Sequence, residues 1–242
     1  MKDLFSDNSS LYQQARPSYS AEIIEQIMLH VAENALAWDC GAGSGQFTGW
    51  LAPYFQQVLA TDLSAAQLAQ APKLENVIYQ AASAEESGLD DHSVDLVTVA
   101  QAIHWFDFDA FYAEVKRVLK PQGCLAVIGY GLIEASDLRL DQLIQHLYKV
   151  TLKGYWDAER RYVDECYQSI PFPFEEQSVP ALQLKYSWTG QQLLDYFQTW
   201  SGLKHYVQLT GLNPLAEMAE FLQQQPQQCY EVQFPVLLRI GQ

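Results

Sequence analysis

The chain has 242 residues, of which 49% are hydrophobic, and this length and composition fit one α/β domain with both faces of a parallel sheet covered. Its 29 acidic residues against 14 basic ones give a formal net charge of -15, which argues against nucleic acid and anionic membranes as partners because the protein repels polyanions. No apolar stretch approaches the roughly 20 residues that span a bilayer, and the polar beginning lacks a hydrophobic signal core, so we expect a cytoplasmic protein.

The first half of the chain alternates between helical and strand patterns. Residues 20–34 predict a helix because apolar side chains recur at i, i+3 and i+4, and Ser20 is placed to cap it. Short apolar runs separated by helical patterns then predict strands at residues 35–40, 58–61, 77–80, 94–100 and 124–130. Strands that alternate with helices indicate an α/β fold with a doubly wound, mostly parallel sheet.

The second half is less regular. Residues 108–119 predict an amphipathic helix, and Lys120-Pro121-Gln122-Gly123 predicts a stop and a turn before the next strand. Residues 132–197 combine a long aromatic-rich helical stretch with a proline-interrupted run at 170–174, which we interpret as an insertion or cap. Residues 230–240 alternate as a final strand that we expect to close the edge of the sheet. The four cysteines show neither CxxC nor Cys/His spacing, so no metal site and no disulfide framework is expected.

A glycine-rich segment follows the first predicted strand, in the sequence Asp39-Cys40-Gly41-Ala42-Gly43-Ser44-Gly45. Glycines at alternate positions let the backbone turn tightly and approach a ligand without interference from Cβ atoms. The spacing is G-x-G-x-G, whereas a nicotinamide-binding loop has G-x-G-x-x-G, and no lysine follows as in a phosphate-binding loop. The segment therefore favours a nucleoside without a pyrophosphate, and a simple glycine-rich turn is the alternative.

A carboxylate ends the second predicted strand, at Asp62 in the sequence Ala60-Thr61-Asp62-Leu63-Ser64. A carboxylate at this point of an α/β sheet is placed to accept hydrogen bonds from both ribose hydroxyls. Helix capping is the competing role, and Ser64 fits that role better. Asp62 is then left for the ligand.

With these two elements, residues 35–131 resemble the class I S-adenosylmethionine-dependent methyltransferases of the subgroup labelled type 11. The resemblance implies a Rossmann-like sheet of seven strands with a helical cap, and S-adenosylmethionine as cofactor. It implies a cofactor site formed by Asp39, Gly41, Ala42, Gly43, Gly45, Asp62, Leu63, Ser83, Ala84, Glu85 and Gln101.

The resemblance also implies a role for each part of this site. Gly41, Gly43 and Gly45 would line the methionine and ribose, Asp62 would hold the ribose, and Asp39 would face the methionine amino group. Residues 83–85 would lie beside the adenine, although serine stands at position 83, where many members carry an aspartate.

The end of the fourth predicted strand, Gln101-Ala102-Ile103-His104-Trp105-Phe106, lies where open α/β sheets bind ligands. This segment, with segments 12–19 and 186–201, resembles the trans-aconitate methyltransferase-like branch, which implies a small-molecule acceptor such as a carboxylate. The candidate substrate-binding residues are Tyr12, Arg16, Tyr19, His104 and Trp105.

Each of these residues has two interpretations. His104 is a donor or a catalytic base, or else a loop histidine packed on Trp105. Trp105 is a wall of the pocket, where its aromatic face suits a sulfonium cation, or plain core. Arg16 binds a carboxylate or forms a surface ion pair, and Tyr12 and Tyr19 either close over the cofactor or simply pack.

The predicted organisation is a single domain over residues 1–242, with a cofactor-binding core at 35–131, a cap at about 132–200 and a sheet-closing part at 201–242. Three alternatives stay open for the function. In the first, the chain methylates an aromatic or isoprenoid acceptor on carbon or oxygen. In the second, it is a non-catalytic binding module. The third and least favoured is a nicotinamide oxidoreductase.

Overall fold

The computed structural model describes residues 15–242, so the candidate Tyr12 lies outside the described residues. The strands are β1 (Leu36–Cys40), β2 (Gln57–Asp62), β3 (Val77–Ala81), β4 (Val94–Ala100), β5 (Leu119–Tyr130), β6 (Glu134–Ala135), β7 (Gln183–Thr189) and β8 (Cys229–Gly241). The helices are α1 (Ala21–Met28), α2 (Thr48–Leu51), α3 (Ala65–Leu68), α4 (Phe108–Val118), α5 (Leu138–His146), α6 (Arg160–Asp164), α7 (Gly190–Gln198), α8 (Ser201–Thr210) and α9 (Ala216–Gln223). Short 3₁₀ turns occupy Ala52–Tyr54 and Ile103–Trp105, and a π-helical turn occupies Leu147–Thr151.

The sheet has the order β3-β2-β1-β4-β5-β8-β6, and β7 also pairs with β8. The five strands from β3 to β5 are parallel, while β8 is antiparallel to β5, β6 and β7. This confirms the predicted doubly wound, mostly parallel sheet. Because the strand order reverses between β1 and β4, the crevice at their carboxyl ends is where such a sheet binds ligands.

Helices cover both faces of the sheet, so its central strands are buried on both sides. All seven residues of β4 except the last are buried, as expected for an apolar run in a parallel sheet. On one face α1 buries Ile23, Ile24 and Ile27, and on the other face α4 buries Phe111 and Val115. Burying large apolar side chains stabilises the fold by about 1.5–3 kcal/mol each.

The first helix is shorter than predicted, since α1 ends at Met28 instead of continuing to residue 34. The amides of His30 and Val31 donate to carbonyls three residues back, which tightens the last turn and ends the helix. Ser20 occupies the N-cap position, but its side chain makes no capping hydrogen bond, so this part of the prediction was wrong.

The predicted turn at residues 120–123 is a bulge inside a strand. α4 ends at Val118 and β5 begins at Leu119 with no intervening loop. The pairing of β4 with β5 shifts here, because Val94 pairs with Leu119 while Leu96 pairs with Cys124. Lys120 in the bulge forms an ion pair of 2.6 Å with the buried Asp95, which fixes the extra residues against β4.

The region predicted as a helical cap also contains strands β6 and β7. In β7 the buried side chains of Leu184 and Trp188 alternate with exposed ones, which is the period of a half-buried strand. The predicted final strand is confirmed as β8, but it does not form the edge of the sheet, because β7 pairs with its residues Cys229 to Pro235 on the outside.

Candidate functional site

The glycine-rich loop after β1 has the backbone conformation that its sequence predicts. Gly41, Gly43 and Gly45 have φ values of 73°, 55° and 78°, in the left-handed region that side chains disfavour. A Cβ atom at Gly41 would lie 2.7 Å from the Cβ of Ala102, which follows β4. The loop therefore needs glycine both for its own conformation and for its close approach to the end of β4.

Asp62 lies against this loop. Its Oδ2 accepts a hydrogen bond of 2.9 Å from the Gly43 amide and its Oδ1 accepts one of 2.8 Å from the Ser64 amide. Ser64 itself accepts from the Gln67 amide and so caps α3, as predicted. Each carboxylate oxygen has a second lone pair, so the half-buried Asp62 retains the capacity to accept hydrogen bonds from two adjacent hydroxyls.

A cleft, here called the loop cleft, opens between the ends of β1, β2 and β4. Clefts at this edge of an open α/β sheet are where such folds bind ligands. The predicted residues that it brings together are Arg16, Tyr19, Gly41, Ala42, Gly43, Asp62, Gln101 and Trp105. Further lining residues that the sequence analysis did not single out for this role include Ser44, Gln67, Phe106 and Tyr130.

Six predicted cofactor residues do not line the loop cleft. Leu63 is 51% exposed, Gly45 is buried at the end of the glycine loop, and Ala84 is buried in the core on the α4 face. Ser83 pairs with Glu86 in a short bridge, and Glu85 accepts a hydrogen bond of 3.4 Å from the Asp107 amide at the start of α4. The loop after β3 is thus directed toward α4.

Asp39 is the sixth, and it lies fully buried behind the glycine loop. Its carboxylate accepts hydrogen bonds from the hydroxyls of Thr48, at 2.5 Å, and Thr98, at 2.9 Å. Burial raises the pKa of Asp39 to about 6, against the lowering effect of these two hydrogen bonds. These contacts tie β1 to α2 and β4, so Asp39 supports the loop from behind.

A second cavity, here called the cap cavity, adjoins the loop cleft. Arg16, Gln101 and Trp105 line both spaces. The other lining residues are His104, Trp156, Asp157, Arg160, Val163, Thr199, Trp200, Ser201, Lys204 and His205. Apart from His104, these side chains come from residues 156–205, and of these only Thr199, Trp200 and Ser201 lie in a segment that carried the sequence resemblance.

The cap cavity carries several cationic side chains in a protein of strongly negative net charge. Arg160 donates to the Tyr148 hydroxyl at 2.7 Å and lies 3.5 Å from the Asp164 carboxylate, and Lys204 and Arg16 complete the set. Asp157 also lines the cap cavity, and its Oδ2 is buried without a hydrogen-bond partner among the described residues. The cavity can therefore bind an anionic group and also accept a hydrogen bond.

Arg16 is held at the junction of the two spaces. Its guanidinium donates to the Tyr130 hydroxyl at 3.3 Å and to the Thr199 carbonyl at 3.2 Å, and it lies 5.7 Å from the centre of the Tyr196 ring. Tyr19 nearby is buried and packs edge-on against Phe47 at 5.0 Å. The structure thus places both predicted residues at the site, with Tyr19 as part of the core.

His104 lies on the 3₁₀ turn after β4 and packs on Trp105 with a ring separation of 5.1 Å. Its Nδ1 is 3.5 Å from the hydroxyl of Tyr167, a residue that the sequence analysis missed. Burial, reinforced by the charge of Arg160, lowers the pKa of His104 to about 3. The imidazole is therefore neutral at physiological pH.

Known proteins with the same architecture were found by sequence and by structure. Residues 38–127 match the family described as the methyltransferase domain. A protein of Dictyostelium discoideum that is named as a methyltransferase is 37% identical over 223 residues, covering 91% of this chain and 85% of the relative. A Mycobacterium tuberculosis protein, also named as a methyltransferase and uncharacterised, is 39% identical over 118 residues, which is 48% of each chain.

Among solved structures, a protein from Anaeromyxobacter dehalogenans described as a type II methyltransferase superposes with a TM-score of 0.87. It is 37% identical to this chain, and the match covers 94% of this chain and 97% of the other. The Dictyostelium and Anaeromyxobacter proteins are each 37% identical to this chain over nearly its whole length, which establishes a shared family as well as a shared fold. The chain belongs to the class I S-adenosylmethionine-dependent methyltransferases, and S-adenosylmethionine is its cofactor.

Proposed function

We propose that the loop cleft holds S-adenosylmethionine and that the cap cavity holds a small acidic molecule that receives the methyl group. The observation that carries this proposal is the shared wall of Arg16, Gln101 and Trp105, because ligands in the two spaces meet there. The cofactor supplies a methyl group on a sulfonium centre, which an acceptor atom attacks in line. The protein must hold the two reactants close together and exclude water.

The cofactor half of the proposal assigns roles to the loop and to Asp62. The carboxylate of Asp62 accepts hydrogen bonds from the ribose hydroxyls, while the backbone at Gly41 and at Gly43 packs against the ligand without Cβ atoms in between. Trp105 offers an aromatic face at the junction, where a positive sulfonium centre is attracted to it. Asp39, and the loop at residues 83–85, act indirectly by supporting these elements.

The acceptor half rests on charge. Arg16, Arg160 and Lys204 surround the cap cavity, and a guanidinium recognises a carboxylate with paired hydrogen bonds. These cations attract an anion locally although the whole molecule carries a charge of -15. The same overall charge supports a small molecule over a nucleic acid as the acceptor.

A second candidate acceptor is an aromatic molecule methylated on carbon or oxygen. The indole rings of Trp105, Trp156 and Trp200 line the cap cavity and give a planar ligand apolar surface to pack against. An aromatic acid would interact with both the rings and the cations, whereas a neutral isoprenoid would interact with the rings alone.

Within residues 15–242, no helix combines the length and apolarity required to cross a bilayer. We propose that the enzyme works in the cytoplasm as a single domain over residues 1–242, with the cofactor-binding core at 35–131, the cap at about 132–200 and the sheet-closing part at 201–242.

The acidic acceptor is tested with a panel of acids and neutral aromatic compounds, incubated with the enzyme and S-adenosylmethionine, with methylated products detected by mass. For any acid that is methylated, Lys204→Met should raise KM about tenfold, equivalent to roughly 1.4 kcal/mol of binding. Lys153→Met removes an exposed charge outside the cap cavity and should leave KM unchanged. Methylation of neutral aromatics alone would contradict the proposal.

A further inference from the structure

Tyr167 adopts a backbone conformation that a bulky residue rarely takes. Its φ is 60°, and that of the preceding Cys166 is 53°, so two consecutive residues lie in the left-handed region. Arg239 of β8 holds the segment in place by donating to the carbonyls of Tyr167, at 2.8 Å, and Ile170, at 2.9 Å. Such strain persists only where the surrounding structure enforces it, and it is often found at functional sites.

The strained turn places the fully buried Tyr167 side chain beneath the junction of the two spaces. A Cβ atom at Gly129 would lie 2.7 Å from both the ring and the hydroxyl of Tyr167, so the absence of a side chain on β5 makes room for it. The hydroxyl lies 3.5 Å from Oε1 of Gln101 and 3.5 Å from Nδ1 of His104, and the tyrosine and histidine rings stack at 6.2 Å.

The side-chain amide of Gln101 has only one possible orientation. The Tyr130 amide donates to it at 3.0 Å, and it donates to the Tyr130 carbonyl at 3.4 Å. A backbone N–H can only donate, so the atom that faces it must be the oxygen Oε1. Gln101 is a further residue in the left-handed region, with a φ of 57°. Its side chain, hydrogen-bonded to the backbone of Tyr130, continues the pairing of β4 with β5.

The orientation of Gln101 determines the direction of the remaining hydrogen bonds. Burial raises the pKa of Tyr167 far above its usual range, so its hydroxyl keeps its proton. Oε1 of Gln101 can only accept, and therefore the Tyr167 hydroxyl donates to it. If the proton pointed at His104 instead, lone pairs of the two oxygens would face each other in a buried site, which is costly.

The hydroxyl of Tyr167 must then accept a hydrogen bond from His104. The neutral imidazole carries one proton, and this network favours Nδ1 as its position, which would leave a lone pair on Nε2. His104 lines the cap cavity, and no described residue forms a hydrogen bond with its Nε2. The cap cavity therefore presents an imidazole nitrogen that accepts hydrogen bonds but does not donate them.

We propose that Tyr167 and Gln101 are positioning residues that hold His104 in its Nδ1–H tautomer, so that Nε2 accepts a hydrogen bond from a hydroxyl or amino group of the methyl acceptor. In the same cavity the buried Oδ2 of Asp157, which has no hydrogen-bond partner within residues 15–242, also calls for a hydrogen-bond donor. The acceptor class, which rests on the proposed function, is an acid that also carries a hydroxyl or amino group. A simple carboxylate, which has no other polar group, would bring only lone pairs to Nε2, and these would repel the nitrogen's own lone pair.

The tautomer is measured directly by NMR on the full chain labelled with ¹⁵N-histidine, with the His104 resonances assigned by their loss in His104→Asn. In the wild type, Nδ1 should show the chemical shift of a protonated nitrogen and Nε2 that of a bare one. Tyr167→Phe keeps the ring and removes the hydroxyl, so the proton should shift at least partly to Nε2. The matched control is Tyr112→Phe, which removes another buried hydroxyl, one that donates to the Pro171 carbonyl away from His104.

The outcomes are distinct. A proton on Nε2 in the wild type overturns the proposal, and so does an unchanged tautomer in Tyr167→Phe when that variant retains the wild-type spectrum elsewhere. The measurement needs no acceptor, so its result is independent of whether the acidic acceptor is correct.

Paired acids test the acceptor class separately: 4-hydroxybenzoate and 4-aminobenzoate against benzoate, and malate against succinate. Methylation of the hydroxyl or amino member at a rate at least tenfold above its partner supports the class. If benzoate or succinate is methylated as fast as its hydroxyl or amino partner, the proposed acceptor class is wrong. If no acid is methylated while neutral compounds are, the proposal of an acidic acceptor is contradicted. The roles of Tyr167 and Gln101 are then decided by the tautomer measurement alone.

Discussion

At Gly41 two physical constraints coincide. Its φ of 73° disfavours any side chain, and the space that a Cβ would occupy is already taken by Ala102 at 2.7 Å and Phe106 at 3.2 Å. The left-handed conformation alone costs a residue with a side chain about 1–2 kcal/mol. A substitution here must displace the loop, and with it the Gly43 amide that Asp62 holds.

We therefore predict that Gly41→Ala weakens the binding of S-adenosylhomocysteine by tenfold or more, about 1.4 kcal/mol, as measured by isothermal titration calorimetry. Gly49→Ala is the matched control, because Gly49 lies in the adjoining helix α2 and a Cβ atom there would meet nothing within 4 Å. The interpretation of the loop would be contradicted if both variants bound as tightly as the wild type.

Asp39 illustrates a second effect at the residue scale, the cost of burying a charge. Its folded-state pKa of about 6 lies above the ordinary value of 3.8, so the folded protein binds this proton more tightly than the unfolded chain does. The resulting stabilisation is fully present below about pH 4 and is lost as the pH rises through 6. A shift of about two units corresponds to roughly 3 kcal/mol.

Asp39→Asn cannot ionise, so its free energy of unfolding should improve relative to that of the wild type by up to roughly 3 kcal/mol between pH 4 and pH 7. Urea denaturation at both pH values measures this difference. A constant difference between the two proteins at the two pH values would contradict the raised pKa of Asp39 in the folded state.

At the scale of the elements, local patterns predicted the structure well where one strand or helix carries its own signal. The apolar run of β4 and the amphipathic α4 match their predicted bounds to within a residue. The strand β7 was missed because its aromatic side chains suggested a cap, and only its pairing with β8 makes it a strand. Pairing between distant segments is not visible in local sequence, and the bulge at residues 120–123 has the same cause.

Helix capping gives a direct comparison between two elements. Thr189 caps α7 and forms a reciprocal capping box with Gln192, whereas Ser20 occupies the same position on α1 without a side-chain capping hydrogen bond. Thr189→Ala should lower the free energy of unfolding by about 1 kcal/mol in urea denaturation. Ser20→Ala should cost less than half as much, and a larger loss from Ser20→Ala than from Thr189→Ala would contradict this account.

At the scale of the whole molecule, the two halves of the site differ in how far the sequence could predict them. The loop and Asp62 lie on successive strands within a short segment, so their spacing alone indicated a nucleoside site. The cap cavity is built from Arg16, Arg160 and Lys204, which are distant in sequence and meet only in the fold. Tyr167 could not be predicted either, because its position depends on a strained turn held by Arg239.

The central claim is that the glycine loop and Asp62 form one cradle for the adenosyl group, with the cap cavity on the far side of Gln101 and Trp105. A crystal structure of the enzyme with S-adenosylhomocysteine tests it most directly. We predict that the Asp62 carboxylate accepts hydrogen bonds from the ribose hydroxyls and that the sulfur lies at the junction of the two spaces. An adenosyl group bound elsewhere, with no ligand contact to Asp62, would contradict the account.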